Sequence, residues 1–204
     1  MTRRRSAALT EPLLLFYVFV GVGLGTVALP QDTRLAVLWT TLALLTLLRW
    51  SREEVKMDLT APAVGRGALL AGVISLPLLA LLPRQLQIFT ERLYGTHQVV
   101  FLFYQVCFVS APVEEAFFRG VILEDRGSSM AAGLYAAAVL LIFAPHVPIP
   151  VALLIAFAAA LMGLVYGYVC EHYGLAAAIA CHVVSGLMLQ VMPSLIDVLH
   201  TLLI

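Results

Sequence analysis

Charge is what this sequence has least of. Asp, Glu, Lys and Arg make up 12% of its 204 residues while 62% are hydrophobic, against about 25% charged residues in a soluble domain. That scarcity excludes an ordinary water-soluble globule. The formal net charge is zero, which removes the basic footprint that nucleic-acid binding requires. Cysteine is also sparse, with only Cys107, Cys170 and Cys181. An odd number of cysteines in or beside apolar runs makes no disulfide framework, and their spacing matches no zinc signature. They read as small core residues. No linker, low-complexity tract or internal repeat divides the chain, so it reads as one domain, 1–204, with its motifs in a core at 99–192.

What is present is a series of apolar runs, at 12–29, 35–48, 68–82, 99–123, 130–145, 147–170 and 175–192. A bilayer core needs about 20 apolar residues per helix, fewer where flanking side chains snorkel. A further run, 195–204, is short enough to lie in the interface or to complete a half-span. The pattern predicts an all-α, multi-pass transmembrane bundle of seven to eight helices. The second run is short, and Arg34, Arg49 and Trp50 beside it are expected to snorkel or anchor at the headgroups. Arg3, Arg4 and Arg5 precede the first run, but no small-x-small cleavage site follows, so that run reads as a retained helix. The polar stretch 51–58 reads as an amphipathic loop. With the N-terminus inside, nine basic residues fall on the cytoplasmic side (Arg3, Arg4, Arg5, Arg49, Arg52, Lys56, Arg66, Arg119, Arg126). Three fall opposite: Arg34, Arg84 and Arg92. That bias predicts a cytoplasmic N-terminus.

One stretch breaks the apolar pattern: Ala111-Pro112-Val113-Glu114-Glu115-Ala116-Phe117-Phe118-Arg119-Gly120. An ionisable group at membrane depth costs at least ~2.5–3.5 kcal/mol, so such groups mark function. The apolar Val121, Ile122 and Leu123 that follow argue against a simple helix end at the headgroups. Glu115 and Arg119 are four apart with the acid first, the favourable order for a helical ion pair. Glu114 has Ser110 and Phe118 as its own helical neighbours. It faces a mostly apolar wall, which is the setting of a general base.

Two histidines stand in later apolar runs, His146 and His182. Counted at 1.5 Å per residue from turns at 125–129 and 171–174, Glu114, His146 and His182 lie ~17–20, ~25 and ~12–15 Å deep. Helix tilt can bring the three together. A glutamate and neutral histidines can activate water for attack on a carbonyl, with a donor for the oxyanion. The same set could ligate zinc and leave a position open for water. The His-Glu-x-x-His spacing of helical metalloproteases is absent, so direct acid–base activation is favoured, with a divalent metal at Glu114, His146 and His182 left open. His97, His172 and His200 read as solvated. Tyr104 and Gln105 read as makers of interhelical hydrogen bonds, and Gly163-x-x-x-Gly167 with the alanine runs 158–160 and 176–178 as close helix packing.

These residues resemble the intramembrane endopeptidases related to CAAX prenyl proteases, a glutamic-type family that also includes bacteriocin-processing and immunity proteins. The resemblance covers 111–186. Glu114-Glu115-x-x-x-Arg119 is similar to its first motif, His146 to the histidine ending its second, and His182 to the one opening its third. It implies that Glu114 activates water, that Glu115 pairs with Arg119, and that the substrate is a membrane-associated protein or peptide. It also implies residence in the lipid bilayer, here the bacterial cytoplasmic (inner) membrane. Two departures stand out. Ile142 occupies the place of a usual phenylalanine, with Phe143 beside it. Gly186 occupies the place of the third motif's Asn or Asp, the expected oxyanion donor. Ser185, one residue earlier, is a candidate substitute. The alternative is a catalytically inactive relative acting as a membrane immunity or partner-binding protein. A proton or ion transporter fits less well, because no inverted repeat is present.

Overall fold

A computed structural model of the chain describes residues 11–50, 59–96 and 98–203. The expectations for Arg3, Arg4, Arg5, Arg52, Lys56, the stretch 51–58 and His97 lie outside the described residues. Every regular element among the described residues is helical. In chain order these are α1 (Pro12–Gly25), α2 (Gln31–Trp50), α3 (Ala61–Leu81) and α4 (Pro83–Tyr94), then α5 (Val99–Tyr104), α6 (Ala111–Phe117) and α7 (Glu124–Arg126). They are followed by α8 (Ser128–Phe143), α9 (Ile149–Tyr173), α10 (Leu175–Gly186) and α11 (Met192–Leu203).

Four stretches are long and apolar enough to cross a bilayer: Ala61–Leu81, Ser128–His146, Ile149–Tyr173 and Leu175–His200. α1 is apolar but only 14 residues long. α2 reaches 20 residues but carries Asp32, Arg34 and Arg49.

Residues 99–126 form one helical run with two wide π turns, Gln105–Ser110 and Phe118–Leu123, and a third π turn, Leu187–Val191, joins α10 to α11. Proline explains two of the three. Pro112 and Pro193 each follow a π turn by two residues. A proline offers no N–H to the carbonyl four residues back and crowds it with its ring. Widening the turn relieves that crowding and lets the helix continue. Pro193 therefore does not end the last span. The two hairpins that carry the motifs turn on Gly127 (φ 81°) and Gly174 (φ 88°). With ψ near 169° and 168°, both occupy backbone space that is essentially glycine-only.

The described residues gather into two compact units. One combines Met1–Lys56 with Val113–Tyr168, the other Met57–Pro112 with Val169–Ile204. The core of the first holds Phe19, Leu38, Trp39, Leu42, Phe117, Phe118, Ile122 and Ile142, all nearly inaccessible. An edge-on aromatic chain, Phe16–Phe118–Tyr135–Tyr166, runs through it with centroids 5.3–6.4 Å apart. In the second unit α3 lies along α10. Gly67 meets the backbone carbonyl of Ala177 so closely that no Cβ could be placed between them. Ala71, Ala177 and Ala178 are fully buried in the same seam. In lipid, such small-residue seams replace the hydrophobic effect as the source of helix association.

Candidate active site

Glu114 sits on α6, the short α-helical stretch between the two π turns of the motif helix. The residue is 6% exposed. The Trp39 indole N–H, from the middle of α2, donates to Glu114 Oε1 at 2.8 Å. The local sequence left Glu114 facing an apolar wall; the donor comes instead from 75 residues away. A hydrogen bond to an ionised carboxylate is among the stronger kinds in a low-dielectric setting, and it fixes the direction of the group that accepts it.

One turn away, Glu115 Oε1 and Arg119 Nη1 pair at 3.2 Å with both side chains fully inaccessible. Arg119 Nη2 donates to the Gly163 carbonyl at 2.9 Å. The guanidinium also lies over the rings of Tyr135 and Tyr166, 4.7 and 5.2 Å from their centroids. A planar delocalised cation suits this socket as a lysine ammonium would not. Gly163 makes the socket possible: a Cβ there would stand 3.1–3.2 Å from Ala132 and from Arg119 Nη2. Gly167, one turn later, leaves room for Ser128. The Gly163-x-x-x-Gly167 stripe thus packs α9 against α8 and at the same time seats the motif arginine.

His146 belongs to the same unit as Glu114. It ends a tight 3₁₀ turn, Ala144–His146, at the close of α8. Its Nε2 is buried and has no hydrogen-bond partner among the described residues. Such an atom is costly to leave unsatisfied, and a bound water or substrate is the usual remedy at a functional site.

His182 lies in the second unit, on α10, 7% exposed. Ser185 is also buried, and its hydroxyl donates to the His182 carbonyl at 2.9 Å. The proton that an oxyanion donor would need is therefore given to its own helix. Gly186 packs against Val106: a Cβ on it would lie 2.6 Å from Val106 Cγ1.

Among the described residues no group of three or more His, Cys, Asp or Glu side chains is arranged to hold a metal ion. Among the described residues Tyr104 makes no interhelical hydrogen bond of the expected kind; it is 59% exposed and stacks on Phe108, 6.1 Å between centroids. His172 and His200 are exposed.

Residues 96–188 match the family model described as type II CAAX prenyl endopeptidase Rce1-like. The match covers less than half of the 204-residue chain. It contains every candidate site residue named from the sequence. No curated protein and no solved structure matches the chain. The four long apolar helices make this an integral membrane protein, and its similarity to the Rce1-like endopeptidases lies in that one segment.

Residues outside the matched segment also bond to the candidate residues or to the turns that carry them. Trp39 and Arg34 both come from α2 and were not singled out from sequence as site residues. Arg34 was expected to snorkel to the headgroups, but it is fully buried. A tryptophan or an arginine inside a short apolar helix is itself a signal: its N–H groups must find acceptors where no water is available.

Proposed function

We propose that the chain is a glutamic-type intramembrane endopeptidase that hydrolyses a peptide bond in a membrane-associated protein, of the CAAX-processing or C-terminal anchor-trimming kind. The observation that carries this reading is the buried Glu114 carboxylate, aimed by the Trp39 indole beside a buried Glu115–Arg119 pair. Glu114 takes a proton from water as the water oxygen bonds to the scissile carbonyl carbon. His146 and His182 orient the water and donate to the carbonyl oxygen as it becomes an oxyanion. When the tetrahedral intermediate collapses, the C–N bond breaks and Glu114 returns its proton to the leaving nitrogen. The products are a carboxylate and an amine. Glu115 and Arg119 hold the helix that presents Glu114.

The same reading has seven or eight helices crossing a bacterial inner membrane with the N-terminus cytoplasmic. The shorter apolar helices join the four long ones by snorkelling and by local thinning of the bilayer.

The test compares the termini of membrane proteins, by mass spectrometry, in cells carrying wild type and cells carrying Glu114→Gln at matched expression. A terminus present only with the wild type is expected, and its position names the substrate. Identical termini with a phenotype that survives in the mutant would replace this reading with a partner-binding or immunity protein, the alternative that Gly186 favours.

A further inference from the structure

We infer that Arg34 is the positioning residue for His146, clamping the turn that ends in that histidine. Leu141 lies four residues before Pro145, and proline has no N–H to give its carbonyl. Ile142 is left without its usual α-helical donor as well, because the chain tightens into a 3₁₀ turn at Ala144–His146, where bonds run to the third residue and not the fourth. Arg34 supplies both. Its Nη2 donates to the Leu141 carbonyl at 2.7 Å and its Nη1 to the Ile142 carbonyl. Nη2 also reaches the Gly23 carbonyl, 3.2 Å away, in the last turn of α1.

The electrostatics agree with the geometry. A buried cation needs compensation, and the hydrogen-bond partners of Arg34 among the described residues are three backbone carbonyls. All three stand in the closing turns of helices, α8 and α1, where the backbone carries its partial negative charge. One guanidinium thus caps two helix ends. Gly23 allows it, since a side chain there would run into Leu141 and separate the two carbonyls that share Nη2. The turn held in this way carries the histidine whose buried Nε2 has no hydrogen-bond partner among the described residues.

That the clamp serves catalysis rests on the proposed endopeptidase reading; that it fixes His146 does not, and the two are tested separately. In detergent-solubilised full-length protein, the carbethoxylation rate of His146 by diethylpyrocarbonate is followed by mass spectrometry, with exposed His172 as internal reference. Arg34→Gln should raise the His146 rate several-fold. Leu42→Ala, a destabilising change in the core of the same helix, should leave it near the wild-type value. Pro145→Ala restores the missing N–H, so the Arg34→Gln effect should shrink markedly in that background. An equal effect in both backgrounds, or the same rise with Leu42→Ala, would overturn the clamp.

The catalytic arm uses the substrate terminus found with wild type. Arg34→Gln should lower kcat with little change in KM, and adding Pro145→Ala should restore part of it. Wild-type kcat in Arg34→Gln, despite a mobile His146, would remove the catalytic role and leave the clamp standing. Absence of any wild-type cleavage would defeat the endopeptidase reading while the labelling result still decided the clamp.

Discussion

Trp39 donates its indole N–H to Glu114 Oε1 at 2.8 Å, joining the middle of α2 to the motif helix inside a buried core. Trp39→Phe keeps most of the buried ring and removes only the donor. A hydrogen bond to a charged group contributes about 1.5–3 kcal/mol, so kcat/KM for the cleaved substrate should fall by about 10–150-fold. The protein should still fold, because Phe fills most of the same space. Cleavage at the wild-type rate in Trp39→Phe would mean that Glu114 is aimed by something else.

The Arg119 socket gives a stability prediction. Removing one partner of a buried pair strands the other, at a typical cost of about 3–5 kcal/mol. Glu115→Gln and Arg119→Met should each lower the thermal midpoint in detergent strongly, while the double variant should lose much less than the two losses added. Arg119→Lys should resemble Arg119→Met more than wild type, because an ammonium cannot lie flat between Tyr135 and Tyr166 and still reach both Glu115 and the Gly163 carbonyl. Strict additivity of the single losses would show that the socket does not act as a unit.

How much of this was legible in the sequence follows from the range of each interaction. The helix class, the Glu115–Arg119 pairing geometry and the glycine turns at 127 and 174 depend on neighbours within about four residues, and the pattern carries them. The π turns were not read, although Pro112 and Pro193 announce two of them. Trp39 and Arg34 escaped notice as site residues because their partners lie 75 and 108 residues away. An arginine in a short apolar helix signals that its N–H groups need acceptors, but nothing local names the carbonyls that Arg34 reaches.

Chelation separates the two chemistries that the residue types allow. The endopeptidase reading needs no resident metal, so cleavage should survive dialysis against EDTA or 1,10-phenanthroline with unchanged kcat. Loss of activity on chelation and recovery on adding zinc would assign Glu114 and the histidines to a metal.

Glu11 and Arg126 offer a pH-dependent contact at the start of α1. Glu11 caps α1, accepting from the Leu14 amide at 2.9 Å, and pairs with Arg126 just before the Gly127 turn. Burial works against its charge, but the Leu14 amide, Arg126 and the Leu13 amide outweigh it and hold the carboxyl below the ordinary range. A carboxyl lowered by folding lends stability in full above its unfolded-state pKa and loses it as pH falls through the folded value. The thermal midpoint of wild type should therefore exceed that of Glu11→Gln at neutral pH by a small margin, both groups being exposed. The two should converge below about pH 4. A gap that persists or widens in acid would mean that the pair is not what holds this end of α1.

Gly186 stands where the resemblance drawn from sequence leads one to expect Asn or Asp, and the structure supplies a steric reason. The π turn Gln105–Ser110 brings Val106 against α10 so closely that a Cβ at position 186 would lie 2.6 Å from Val106 Cγ1. Any larger residue must displace that methyl or push the two helices apart. Gly186→Asn alone should then destabilise by about 1–3 kcal/mol, the usual cost of overpacking. Val106→Ala opens space beside it, so Val106→Ala with Gly186→Asn should be more stable than the sum of the single losses, a coupling that thermal unfolding of the four proteins would read directly. Additive losses would sink the steric account. The same double variant also asks whether the polar donor was lost or replaced. Faster cleavage than wild type would show that the amide at 186 completes a site that otherwise works without it; cleavage unchanged, with the fold intact, would show that the oxyanion is held by another donor.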